Sequence, residues 1–410
     1  SGFGATGAVS WNTTVKTSGF TAVAGEGYFV NTTGGAISVN LPAGTAGAVV
    51  GFKDYANTFD TNAVTLVQNG SDKIGGSTVN AILSTEGLAV TLVFIDSTQG
   101  WLVTDSGLQS ESPTAQYIVA TGGTITEDGD YKVHTFSGPG TFTVCSVGNA
   151  GGSTEVSYLV VAGGGSGGSA NNNNNGAGAG GAGGFREGKT PQCTYTSSPL
   201  TCTSGSNNGL PVSVQTYPIT VGAGGAAVSP VNPGNAGSNS IFSTITSAGG
   251  GLGGDDSASG GNGGSGGGAG APNPGGSGNT PPVSPPQGNN GGSGFGCGGD
   301  YGAGGGGGAT VGGGNGTSAA AGNGGAGATS SINGSPASRA GGGGGGAYSA
   351  GTAGSGGAGG GGNGANGSGS VGNGSSNTGG GGGGNNVPAA GSGVSGAGGS
   401  GIVIIRYKFQ

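Results

Sequence analysis

Gly260-Gly261-Asn262-Gly263-Gly264-Ser265-Gly266-Gly267-Gly268 repeats Gly-Gly-x with a period of three. The same spacing recurs at Ala179, Ala182 and Phe185, at Asn323 and Ala326, at Ser355 and Ala358, and at Ala397 and Ser400. Three is neither the period of an α-helix nor that of a strand. It is the period of a polyproline-II-type helix, which has no internal hydrogen bonds and leaves its N–H and C=O groups pointing outward. Where two of three side chains are hydrogen, such helices can approach and satisfy one another. The stretch 162–400 is therefore expected to be an inserted bundle of short polyglycine-II helices, each with its third position facing out. A flexible linker is the rival reading, since Gly/Ser-rich composition ordinarily denotes random coil. Ordering such a chain costs roughly 1–2 kcal/mol per residue, which lateral backbone hydrogen bonds of about 1 kcal/mol each must offset. A collagen triple helix fits less well, because the prolines avoid the periodic runs.

The chain has 410 residues, 113 of them glycine, with 31% hydrophobic and 6% charged residues. Apolar material is concentrated in the first 165 residues and the last ten. A net charge of -7 with nine Lys plus Arg argues against nucleic acid as a partner. No apolar run approaches the ~20 residues that span a bilayer, so membrane insertion is not expected. The sequence opens on Ser1 without a signal-peptide pattern, which suggests a processed product or part of a longer chain.

Residues 1–108 read as a compact β module. Short β-branched runs at 27–32, 36–41, 48–54, 63–67, 88–95 and 100–104 are separated by Gly, Pro, Asn and Asp. Residues 109–116 read as a polar linker. A second β region follows at 117–120, 131–136, 141–144 and 155–161, continues at 212–221 and 240–245, and closes at 401–408. The last run has no local partner, and its continuous apolar character demands burial. It is expected beside 156–161, which makes 162–400 an insertion into a β-sandwich built from 117–161, 212–245 and 401–409. The fold class is thus all-β plus polyglycine-II, with essentially no α-helix.

Catalytic and cofactor signals are weak. Gly-x-Gly-x-x-Gly occurs often by composition, but not between a strand and a helix. His134 stands alone on a strand, and Asp255-Asp256 reads as an acidic loop more readily than as a Ca²⁺ site. No cofactor, metal or enzymatic activity is expected. Cys193 and Cys202 bracket a Thr/Ser/Pro loop and could form a disulfide, or could be two thiols. The non-repeating inserts are the candidate recognition elements. The insert 271–290 supplies Pro272, Asn273, Pro274, Pro281, Pro282, Asn289 and Asn290. Phe295, Tyr301 and Tyr348 are isolated among glycines, either as plugs at the bundle edge or as binding anchors.

Two resemblances bear on these stretches. Gly-Tyr-Phe-Val-Asn-Thr-Thr (27–33), Leu-Pro-Ala (41–43), Phe-Lys-Asp-Tyr (52–55), Asn-Gly-Ser-Asp-Lys-Ile-Gly-Gly (69–76) and Asp-Ser-Thr-Gln-Gly-Trp-Leu-Val (96–103) resemble a β module of bacteriophage tail fibres, often of phages that infect marine cyanobacteria. Tyr-Leu-Val-Val-Ala-Gly-Gly-Gly (158–165), Gly-Gly-Ala-Gly-Gly-Phe-Arg-Glu-Gly (180–188), Tyr-Pro-Ile-Thr-Val-Gly-Ala-Gly-Gly (217–225), Asn-Ser-Ile-Phe (239–242) and Gly-Ile-Val-Ile-Ile-Arg-Tyr (401–407) resemble the glycine-rich domain near the ends of such fibres. The plan is similar to the tip adhesins of T-even-like phages. These resemblances imply a virion tail-fibre protein, homotrimeric, joined to other tail-fibre or baseplate proteins. Its loops would bind a bacterial surface glycan or outer-membrane protein. The alternative is a structural subunit of an extracellular filament or cell-surface layer.

Overall fold

The computed structural model describes residues 9–105, 115–149, 152–170, 175–201, 208–229, 231–296, 302–348, 350–367, 369–386 and 393–410. The fold is all-β, with no helix among these residues. The chain divides into two compact units, Ser1–Tyr117 with Gly148–Ser153, and Ile118–Val147 with Thr154–Gln410. Most of the expected linker 109–116 falls outside the described residues.

In the first unit the chain winds between two sheets. Ser10–Lys16, Glu26–Val30 and Val49–Asp54 pair in parallel in one sheet. Phe20–Thr21, Ile37–Asn40 and Val64–Val67 pair in parallel in the other. Each parallel crossover thus runs through a strand of the opposite sheet rather than through a helix. Antiparallel strands Ala81–Leu83, Ala89–Phe94 and Trp101–Asp105 complete the pair. Alternating burial along Ile37–Asn40 aims Ile37 and Val39 inward. They meet Val30, Phe52 and Leu92 from the facing sheet, with Phe59 and Trp101 filling the centre. The runs expected from sequence fall on strands here; Ser10–Lys16, Phe20–Thr21 and Ala81–Leu83 lie outside those runs.

The second unit is built on a sandwich. One sheet orders Val119–Thr121, Gly140–Ser146, Thr216–Thr220, Ser240–Phe242 and Ile245–Ser247. The other orders Thr124–Asp128, Tyr131–Phe136, Ile402–Lys408, Glu155–Val161 and Phe185–Gly188. Ile402–Lys408 lies antiparallel between Tyr131–Phe136 and Glu155–Val161, with Ile404 opposite Leu159 and Thr135. The orphan terminal run therefore has a partner on each side. Val403, Ile405 and Tyr407 face the sandwich core with Phe142, Tyr217 and Phe242. Ile402 and Ile404 face the opposite way, against Phe185, Ala182, Ala309, Ile332 and Ala340. The glycine-rich segments thus stack on the outer face of the same sheet whose inner face closes the sandwich.

Hydrogen bonding among those segments follows the period of three. Gly163, Ser166 and Ser169 donate to Ser238, Asn235 and Asn232. Gly164 and Gly167 donate to Gly399 and Gly396, while Gly165 and Gly168 donate to Gly181 and Gly178. Successive amides therefore turn to three different neighbours, and every fourth returns to the first. The segment 177–184 sits deepest. It donates to 379–385, 248–254 and 304–307, and accepts from 162–168, 265–268 and 343–346. A Cβ added at Gly180 would fall almost on the carbonyl oxygen of Gly165, and one at Gly165 on that of Gly251. Glycine is required in the interior because neighbouring backbones touch.

The third positions do not all face out. Ala179 and Ala182 are fully buried, and Ser166 and Ser265 with them. Interior segments have neighbours on every side, so an outward direction exists only at the rim. There the third position is often asparagine, and it closes the lattice. Along one rim segment, Gly276 donates to Gly267 and Asn279 to Gly264. Between them, the amide of Ser277 reaches Asn262 Oδ1 at 2.7 Å and that of Gly278 reaches Asn290 Oδ1 at 2.9 Å. A second rim segment repeats the scheme. Gly354 and Gly357 donate inward, while Ser355 and Gly356 reach Asn323 Oδ1 and Asn363 Oδ1 at 2.9 and 2.8 Å.

Candidate functional site

The segments run between two tiers. The first, 162–170, leaves the sheet directly after Glu155–Val161. At its far end Ser169 pairs with Asn385 and Asn232. Gly302 bridges Ala347, and Ala347 bridges Asn366, in the same tier.

The candidate residues divide between these tiers. Pro272, Asn273, Pro274, Phe295 and Tyr348 gather at the far end. Gly294 donates to Asn273 O at 3.0 Å, Phe295 donates to Gly302 O at 2.8 Å, and Tyr348 follows Ala347. Pro272 and Pro274 are exposed, Phe295 is 36% exposed, and Asn273 and Tyr348 are half-buried. The Tyr348 ring lies over Gly351, where a Cβ would meet it at 2.7 Å. Tyr301 lies outside the described residues.

Pro281, Pro282, Asn289 and Asn290 lie at the opposite end, beside the sheet. The loop that carries the prolines is folded around two residues that composition did not single out. Asn279, at φ 50°, accepts the amides of Val283 and Gln287 on Oδ1 and donates from Nδ2 to Val283 O. Gln287 is 1% exposed. Its Nε2 donates to Pro281 O at 2.9 Å, and its Oε1 accepts from Ala248 N at 2.9 Å. Its carbonyl accepts from Phe185 N at 2.9 Å, which ties the loop to the edge strand Phe185–Gly188. Pro281 and Pro282 stand exposed on this base. Asn289 is committed to the lattice, its Nδ2 donating to Gly308 O and Ala309 O at 3.1 and 2.9 Å. Asn290 is committed as well, through Gly278. The only sequence signal for Asn279 and Gln287 is their place at the two ends of the proline cluster.

Cys193 is a buried free thiol with its Sγ 3.9 Å from Arg406 O; Cys202 lies outside the described residues. His134 is buried in the sandwich. The carbonyl of Gly122 accepts from Nδ1 at 2.7 Å, which leaves Nε2 to accept from the Tyr407 hydroxyl at 3.0 Å. Burial holds the imidazole below its ordinary pKa, against the opposing pull of the Gly122 carbonyl. Burial also pushes the Tyr407 phenol up to about 12. Glu187 is buried too. Its Oε2 accepts from Ser198 N and Thr201 Oγ1 and its Oε1 from Ser330 Oγ, binding the loop at 193–201 and the hairpin at 328–339 to the sheet. Among the described residues no group of three or more His, Cys, Asp or Glu could hold a metal ion. No helix among them is long and apolar enough to cross a membrane.

Comparison with known proteins divides the chain similarly. A family model described as bacteriophage T4 gp9/10-like protein, N-terminal, matches residues 3–108 and points to a structural protein of the phage tail or its fibres. A family model described as glycine-rich domain matches residues 137–408. No curated protein matches the chain. Because the second match covers more than half of the 410 residues, including the terminal strand and the glycine segments stacked on its outer face, this protein belongs to the glycine-rich domain family.

Proposed function

We propose that the glycine segments form a polyglycine-II bundle whose far end is the receptor-contacting tip of a phage tail fibre. The single observation that carries this reading is the placement of Pro272, Pro274, Phe295 and Tyr348 together at the end of a hydrogen-bonded lattice. Loops held in advance lose little entropy on binding, and binding residues concentrate on loops above rigid scaffolds. The N-terminal module would join the protein to other tail-fibre or baseplate proteins, and a homotrimer would add avidity. The partner would be a bacterial surface glycan or an outer-membrane protein. The protein would thus sit on the virion and act outside the cell without catalysis.

A competition assay tests the reading. Purified full-length protein should block adsorption of the virus to its host. The variant Pro272→Gly/Phe295→Ser/Tyr348→Ser should fold but fail to compete. Equal competition by the variant would remove the tip from this role.

A further inference from the structure

Beside the proline loop, the edge strand Phe185–Gly188 borders a cleft of about 220 Å³. Arg186, Tyr158, Asn208, Ser284 and Pro285 contribute to its wall. Along the strand, Phe185 and Glu187 are buried while Arg186 is half-exposed. Glu187 also borders the cleft, but its oxygens are occupied by Ser198, Thr201 and Ser330. Arg186 has no such commitment. Its Nη1 lies 3.5 Å from Thr246 O, at the outer limit of a hydrogen bond, and it forms no ion pair among the described residues. Gly188 has no side chain to separate the strand from the Tyr158 ring, which lies against it.

We infer that this cleft binds one anionic saccharide unit. A guanidinium presents a planar fork of donors that matches a carboxylate or phosphate. Pro285, beside the edge of the Tyr158 ring, offers apolar surface to a sugar face, and the Ser284 hydroxyl offers a polar group to its hydroxyls. The volume is below the ~300 Å³ at which pockets for larger ligands begin, which suits a single ring. The inference rests on the attachment role and assigns a ligand chemistry to a second place on the same unit, at the opposite end from the proposed tip.

The test titrates full-length protein with methyl glucuronoside, N-acetylneuraminic acid and glycerol phosphate, with methyl glucoside as the neutral control. At least one anion should saturate at millimolar concentration and the neutral sugar should not. The preference between carboxylates and glycerol phosphate identifies the charged group. Arg186→Gln should weaken binding about tenfold or more, and Arg186→Lys should weaken it less. Ser284→Trp, on an exposed loop, should block the cleft. Absence of saturation by every anion, or unchanged affinity in Arg186→Gln, overturns the proposal. Anion binding by a protein that does not compete for host cells would sink the attachment role and leave the cleft standing; the reverse result would do the opposite.

Discussion

The carboxamide of Asn290 stands in for a missing neighbour: its Oδ1 accepts the Gly278 amide at 2.9 Å where a further segment would have supplied a carbonyl. Asn262 does the same for Ser277, so a rim segment with lattice partners on one side only has its consecutive amides satisfied. Removing an acceptor at a solvated rim should cost about 1 kcal/mol. Asn323→Ala and Asn363→Ala should each lower stability by about that much and speed exchange at the Ser355 and Gly356 amides. The Asp variants, which keep the acceptor, should be close to neutral. Chemical denaturation of the four variants checks this.

Glycines whose missing Cβ would meet a neighbouring backbone should be intolerant, and those whose missing Cβ faces open space tolerant. At Gly180 a methyl group would collide with the Gly165 backbone, whereas at Gly312 it would meet Asn290 O at 3.4 Å. Gly180→Ala should cost about 3 kcal/mol or more, since a carbonyl cannot move aside as a side chain can. Gly312→Ala should change stability little. Thermal melts of the two variants separate the cases.

Acid should weaken the sandwich through His134. Its pKa is depressed in the folded state, so below the unfolded value of about 6.5 the unfolded chain takes up the proton more readily. Stability is full above pH ~6.5 and falls as pH drops from there towards the folded pKa. The melting temperature should therefore decline between pH 7 and pH 5. A His134→Phe variant should lose that part of the slope.

Glu187 should be a stability determinant. Its carboxylate faces three donors, and its charge opposes the effect of burial on the Arg339 guanidinium. Glu187→Gln would point an N–H group at donors and should cost about 2 kcal/mol. Urea titration at pH 7 measures it.

Much of this fold was readable because it follows from single-residue needs. The apolar run at 402–408 required burial on both faces, and it is the central strand. A glycine period of three required lateral partners, and they are present. What could not be read depends on position in the lattice. Gly-Asn-Gly occurs at 261–263, 314–316, 322–324, 362–364 and 372–374, but only the rim geometry turns those asparagines into acceptors. The same ignorance of inside and outside misplaced Ala179 and Ala182 as outward-facing. The insert 271–290 looked like one recognition loop. A rod of the lattice runs through it, so Pro272 and Pro281 emerge at opposite ends. Gln287 acts through partners far along the chain, Ala248 and Phe185, and Asn279 through Val283 and Gln287 within the loop; apart from their place at the two ends of the proline cluster, no local pattern marks them.

Amide hydrogen exchange at the interior glycines tests the rigid lattice most directly. The amides of Gly165, Gly180, Gly181 and Gly343 are each bonded to another segment. They should exchange as slowly as those of Leu159 and Ile404 in the central sheet, opening only with global unfolding. Exchange near the rate of an unstructured chain at these glycines would contradict the lattice, and with it the physical basis for displaying a fixed tip.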